Sequence, residues 1–496
     1  MANAYILSID QSTQGSKALL LDDQGALVDI RSKAHKQYID DKGYVEHDLD
    51  EIYANVIVLI KDMIINHPES VDKIKAVGIS VQRETVACFS KKTLKPFYHA
   101  IVWQCARACE LIARENIAAK AQDIRKITGL TLSEYFSAPK MAWLLENIPE
   151  VKQAQDAGDL CLSNMDAFLI ARLTQGKSFA TEPSNASRTM LMDINSLNWS
   201  EELCKLFNID ESSLPEILDS DSNFGMTDFE GILPHAIPIF SAIGDSQGAL
   251  FGHGALKQGQ VKTTYGTGSS IMMNSGNTPS HCENGVVNSV GWRRQGQTTY
   301  VLEGNINYSA GIISYLKDDL KLIKSPAETE DLAKKAHPQD KCCFVPALSG
   351  LGAPWFNSNA RGTILGMSRL TGKNEIVRAA LDAITLQVND ILKLLEKSSG
   401  IEISDLNVDG GATKNGYLMQ RQADLSALLV VVPKESELSG IGAGLLAGIA
   451  CGLYSEDILS HQEIHNTFTP KLAKDARDAI IERWHRAVHS ALAFGI

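Results

Sequence analysis

The sequence predicts an α/β protein built from two domains of related design. Three observations carry that expectation. Strand-like and helix-like patterns alternate along the chain. A strand that breaks into Ser, Thr and Gly and then resumes occurs near the start and again past the middle. The length, 496 residues, exceeds what a single compact core accommodates.

In chain order, "YILSI" and "ALLLDD" are strands flanking the first loop, "DQSTQGS". "EIYANVIVLIKDMIIN" has helical period, "IKAVGISVQ" is a buried strand, and "AWLLENIPEVKQAQ" follows as one helix. Near residue 240 a new segment starts with "AIPIFSAIGDSQGALFGHGAL", followed by "GQVKTTYGTGSSIMMNSG", which repeats the opening logic. A third loop lies in "LNVDGGATKNGYLMQRQADLSAL", where a strand breaks at Asp409-Gly410-Gly411 and a helix begins. The last element, "KLAKDARDAIIERWHRAVHSAL", places Ile480, Trp484 and Val488 on one helical face. The repeated pattern divides the chain into residues 1–247 and 248–496.

Composition narrows the function. The net charge is −12 without a Lys/Arg-rich run, which argues against nucleic acid and anionic membranes as partners. No apolar stretch has the length of a membrane span, and "MANAYILSID" lacks the basic start of a signal peptide. Nine scattered cysteines suit reduced thiols in a cytoplasmic protein. Cys105 and Cys109 have the spacing of one helix face, and Cys342 and Cys343 are adjacent, but neither pair has the partners of a zinc site.

Loops of Gly, Ser and Thr between strands let backbone N–H groups and hydroxyls converge on phosphate oxygens. "DQSTQGS" and "YGTGSS" are placed to hold one polyphosphate from two sides. Asp10, at the end of the first strand, suits Mg2+ held through its water shell, and Lys17 suits neutralisation of phosphate charge. Two other matches are set aside. "TQGKS" (174–178) lacks the P-loop glycine, having Ala171 there, and is expected as a surface turn. "GAGLLA" (442–447) fits a dinucleotide fingerprint loosely, but without a strand before it tight helix packing is the better expectation.

The chain resembles the FGGY carbohydrate kinases, and among them the glycerol kinase branch, over essentially its full length. One family signature appears as "YFSAPKMAWLLEN" (135–147) and the other as "GTILGMSRLTGKNEIVRAALD" (362–382). "GYVEHD", "QRET", "AIVWQC", "SNASRTML", "GLGAPWF" and "VDGGATKN" resemble that branch further. The resemblance implies two actin-like, ribonuclease H-like ATPase domains with ATP and Mg2+ in the cleft between them. It implies Asp245 as the base that accepts the hydroxyl proton, with Asp10 and Asp245 on the metal. Arg83, Glu84, Trp103 and Tyr135 are implied around a small polyol or sugar substrate. Thr13, Gln14, Lys17, Gly266, Thr267, Gly411 and Asn415 are implied at the nucleotide, and an ungapped alignment adds Ala310 and Ser314 near the adenine. Family members are often dimers or tetramers, so a homo-oligomer is expected.

Three departures from that branch stand out. Ser246 follows the catalytic aspartate where the branch has Gln, and Ser270 stands where it has Phe. Either the pocket admits a longer C4–C5 polyol or ketose of the erythritol, xylulose or ribulose type, or neighbours such as Tyr308 and Phe136 refill it and glycerol remains the substrate. In the third, "EGILPHAIPIF" is shortened and has Ala236 where fructose 1,6-bisphosphate-binding members have Arg, so that feedback is not expected. A polyol-independent ATPase of the actin or Hsp70 kind, or an inactive binding protein, fits less well, because Asp245 and both signatures serve an acceptor.

Overall fold

The computed structural model describes residues 3–280, 285–460 and 463–495. The first half is built on strands β1 (Tyr5–Gln11), β2 (Gly15–Asp22), β3 (Leu27–Ala34), β4 (Ile74–Val81) and β5 (Ile237–Gly244), with helix α1 (Leu49–Asn66) against one face. β1 to β3 form an antiparallel meander, and β4 and β5 join parallel to β1, in the order β5-β4-β1-β2-β3. Helices α2 (Ser137–Asn147) and α3 (Asp245–Gly252) follow in this half.

The second half repeats the plan. β6 (Gln260–Tyr265), β7 (Ser269–Gly276), β8 (Val287–Arg294) and β9 (Gln297–Ile306) are antiparallel neighbours. After helices α4 (Gly311–Asp318) and α5 (Lys373–Ser399), strand β10 (Asp405–Asp409) pairs parallel to β6. Helix α6 (Gly416–Ser426) leads to β11 (Val430–Pro433), parallel to β10, and helix α7 (Leu438–Ala450) follows. Strand β12 (Ile464–Phe468) closes that edge, and helix α8 (Lys474–Phe494) buries Trp484 and Val488. The order β9-β7-β6-β10-β11 is the same meander-plus-parallel arrangement as in the first half.

The two halves are joined by close helix packing. α7 lies on the first sheet, where Ser8 Oγ donates to the Gly440 carbonyl at 2.6 Å and Ser241 Oγ to the Ala443 carbonyl at 2.7 Å. A Cβ on Gly442 would lie 1.9 Å from the Gly248 carbonyl oxygen of α3, so only glycine permits this crossing.

Several expectations are corrected here. The segment starting near residue 240 opens with β5, which belongs to the first sheet, and the proposed 247/248 division lies within α3. The helix expected across residues 142–155 breaks at Ile148, because Pro149 opens a second helix, Pro149–Asp156. "GAGLLA" does follow a strand, β11, although its small residues serve packing. Cys105 is buried and precedes the short helix Cys109–Ile112, whereas Cys109 is exposed, so the two share no helix face. Cys342 and Cys343 are unpaired thiols, as are the other described cysteines, and Cys282 lies outside the described residues. Among the described residues no helix is long and apolar enough to cross a membrane.

Candidate active site

Several candidate site residues gather at the C-terminal ends of the parallel strands, where open α/β sheets present their loops. In the first sheet Asp10 pairs with Ser80, and Val81 with Gly244, so β1, β4 and β5 end together. Asp10, Arg83-Glu84 and Asp245 are thereby brought to one edge. In the second sheet Thr264 pairs with Asp409, which aligns the Gly266-Thr267 turn with Gly410-Gly411.

A buried charge array lies at this edge. Arg83 donates from Nη2 to Glu303 Oε1 at 2.8 Å and from Nη1 to Glu303 Oε2 at 3.0 Å. Arg188 approaches Glu303 Oε2 at 3.0 Å through Nη1, and its Nε donates to Glu84 Oε1. Burial pushes the Glu303 carboxyl up, but the guanidiniums of Arg83 and Arg188 outweigh it and hold the group well below the usual carboxylate range. Arg83 and Glu84 are therefore not paired with each other. Glu84 takes a left-handed backbone (φ 59°) that turns its side chain to Arg188.

Asp245 stands at the edge of this array as the first residue of α3. Its carboxylate lies 3.3 Å from Arg83 Nε and accepts from the Ser246 N–H at 2.6 Å. The side chain keeps 33% of its surface, unlike Glu303, which has none. Ser270, half-buried on β7, donates from Oγ to Glu303 Oε1 at 3.0 Å. Tyr135 and Trp103 meet edge-on with ring centroids 5.6 Å apart. Of the two residues proposed to refill the wall, Phe136 lies under the Arg188 guanidinium and Tyr308 packs against the second-half core.

Of the residues expected at a nucleotide, Thr13 and Gln14 occupy the β1–β2 loop, and Trp103 Nε1 donates to Thr13 Oγ1 at 2.9 Å. Gly266 and Thr267 are exposed, and their carbonyls accept from the N–H groups of Ala310 and Gly311, so Ala310 sits beside this turn. Ser314 is exposed on α4 and Gly411 on the loop after β10. Two residues are more engaged than expected. Lys17 is ion-paired with Glu437. Asn415 caps α6 by accepting from the Leu418 N–H, and its amide donates to Thr329.

The residues suit a divalent cation. Asp10 is buried and accepts from Ser80 Oγ at 2.9 Å. Burial pushes its carboxyl up to about 6, against the opposing pull of Lys17 and Ser80 and with Asp245 and Glu437 adding to the rise. Asp10 and Asp245 lie close enough to repel one another, and carboxylate oxygens are the ligand chemistry of a hard cation held through waters.

Glu303 and Arg188 were not picked out from the sequence as site residues. The signal for Glu303 was a charge inside the apolar strand "YVLEGNI"; for Arg188 it was the "SNASRTML" stretch without an assigned role.

Comparison with known proteins agrees with this architecture. Residues 5–252 match the N-terminal domain of the FGGY family of carbohydrate kinases, and residues 261–451 its C-terminal domain. The chain is 40% identical to glycerol kinase 1 of Thermotoga maritima, over 98% of this chain and 99% of that protein. It is also 40% identical to the glycerol kinase of Pseudothermotoga lettingae, over 100% and 99%. A crystal structure of Plasmodium falciparum glycerol kinase with ADP superposes with a TM-score of 0.94 at 37% identity, covering 99% of each chain. A xylulose kinase from Lactobacillus acidophilus shares the fold at a TM-score of 0.86 and 21% identity, over 99% of this chain and 97% of that one.

Proposed function

The chain belongs to the FGGY family of carbohydrate kinases, and on that premise we propose a glycerol kinase-like enzyme that transfers the γ-phosphate of ATP to a hydroxyl of a small polyol. The observation that carries this reading is the Arg83–Glu303–Arg188–Glu84 array with Asp245 at its accessible edge. Fixed donors and acceptors side by side suit the neighbouring hydroxyls of a polyol. Tyr135 and Trp103 supply an apolar wall for its carbons.

In the reaction, the substrate oxygen bonds to the γ-phosphorus, the β–γ bridging bond breaks, and ADP leaves with its electron pair. Asp245 takes the hydroxyl proton onto its carboxylate as the bond forms. Arg83 keeps that carboxylate oriented through the 3.3 Å contact, and its own place is fixed by Glu303. Mg2+, when bound, neutralises phosphate charge, and Asp10 with Asp245 would hold it through waters. Thr13, Gln14, Gly266, Thr267 and Gly411 cradle the phosphates, with Ala310, Ser314 and Asn415 toward the adenosine. Lys17 reaches phosphate by leaving Glu437, an exchange that accompanies closure of the cleft.

One observation favours a second reading. Ser270 makes the wall next to Glu303 small and polar, with its hydroxyl held toward the array at 3.0 Å, and Ser246 adds a second small side chain. That suits an extra hydroxyl on a C4–C5 polyol or ketose. ATP-coupled kinetics on glycerol, dihydroxyacetone, erythritol, threitol, pentitols and ketopentoses separate the two. Glycerol holding the highest kcat/KM supports the first reading, and a tenfold advantage for a longer acceptor, about 1.4 kcal/mol in transition-state binding, supports the second.

We further place the enzyme in the cytoplasm as a dimer or tetramer, with substrate-side and nucleotide-side domains. Ala236, lacking a cation for a bisphosphate, supports the absence of fructose 1,6-bisphosphate feedback.

A further inference from the structure

We infer that His35 is a positioning residue for the first phosphate loop, holding the Thr13 carbonyl through Nε2 while its ring packs on His47, which a separate hydrogen-bond chain orients. The inference rests on the reading that this loop binds ATP.

The chain starts at the backbone N–H of Trp103, which donates to Thr85 Oγ1 at 3.2 Å. The Thr85 hydroxyl in turn donates to Gln82 Oε1 at 3.0 Å. That orients the Gln82 amide, so its Nε2 donates to Gln11 Oε1 at 3.2 Å and to His47 Nδ1 at 3.4 Å. His47 therefore has a bare Nδ1 and carries its proton on Nε2. On the other ring, His35 Nε2 lies 3.0 Å from the Thr13 carbonyl oxygen. A carbonyl only accepts, so His35 carries its proton on Nε2 and leaves Nδ1 bare.

Two ring atoms remain, the His47 Nε2–H and the His35 Nδ1. Both are buried without a hydrogen-bond partner among the described residues. One is a donor and the other an acceptor, on rings whose centroids are 4.4 Å apart and nearly perpendicular. Burial also resists charge on either ring: it lowers the His35 pKa, partly offset by the Thr13 carbonyl and Glu51, and with His35 nearby it pushes His47 down to about 3.

Thr13 is thus held at both ends. His35 takes its carbonyl and the Trp103 indole donates to its hydroxyl oxygen. An oxygen that accepts from the indole still has its own proton to give, so Thr13 is preset as a donor for a phosphate oxygen. His35 touches neither substrate nor nucleotide; it acts through Thr13.

The test compares His35→Leu, which removes the donor, with His35→Gln, whose amide retains an N–H. Readouts are KM for ATP, KM for glycerol, kcat, and the Kd of a non-hydrolysable ATP analogue measured by calorimetry. His35→Leu is expected to raise KM for ATP and the analogue Kd about 3–10-fold, as expected for one lost hydrogen bond. KM for glycerol and kcat stay within about twofold, and His35→Gln restores ATP affinity. Unchanged analogue binding in His35→Leu, or an equal loss in His35→Gln, overturns the inference. His35→Met replaces the Leu variant if the latter does not fold. A wild-type protein that binds the analogue but phosphorylates no polyol refutes the proposed function while leaving this comparison readable.

Discussion

On the proposed reading Asp245 is the residue on which the chemistry turns, because it combines contact with the buried array and an accessible carboxylate. Asp245→Asn preserves shape and removes the proton acceptor, and kcat for polyol phosphorylation should fall by roughly 10²–10⁴-fold in steady-state assays with little change in stability. Glu303 answers to a different principle. Its two arginine partners are buried, so Glu303→Gln leaves guanidinium charge uncompensated and should cost about 3–5 kcal/mol by urea unfolding while raising KM for the polyol. Ser270→Phe places an aromatic wall beside the array and should shift the preference on the acceptor panel toward glycerol. The sequence exposed Asp10 because its strand runs into a loop of Ser, Thr and Gly, whereas Asp245 came from the family resemblance. Glu303 was hidden because its partners arrive from residues 83 and 188, and no local pattern records a meeting of three distant segments.

Among the elements, α7 and α3 matter most, since their crossing fixes the helix that begins with Asp245. A methyl group on Gly442 would collide with the Gly248 backbone, which cannot withdraw as a side chain would. Gly442→Ala should therefore destabilise by about 3 kcal/mol, read from the urea midpoint, with a loss of kcat as α3 shifts. The strand–loop–strand units were legible because hydroxyl and glycine residues interrupt apolar alternation twice in the same way. β11 was not, because "VVVP" is too short and ends in proline, and its strand character comes from pairing with β10. The break at Ile148 was masked by apolar residues that kept helical spacing across it.

For the whole molecule, two repeated sheets meet across a seam of buried charge and backbone contact, with the site residues aligned on strand ends from both. His47 gives the assembly a pH signature. Its pKa falls from the usual imidazole value to about 3 in the folded state, so its contribution is fully present above about pH 6.5 and is lost as pH falls toward 3. Urea unfolding should show the wild type losing stability through this window more steeply than His47→Gln, by up to about 1.4 kcal/mol per pH unit. The repeat of the strand–loop–strand pattern could be read from the chain, whereas the crossing of α7 onto the first sheet could not, since it joins residues 8 and 440. The central claim is that ATP turnover belongs to phosphoryl transfer onto a polyol. ADP release should be measured with and without glycerol and the longer acceptors, in wild type and Asp245→Asn, with the phosphorylated product quantified alongside. The account predicts ADP and polyol phosphate forming one for one, turnover that depends on the acceptor, and loss of both in Asp245→Asn. ATP hydrolysis at the same rate without any polyol, and unaffected by Asp245→Asn, would contradict it.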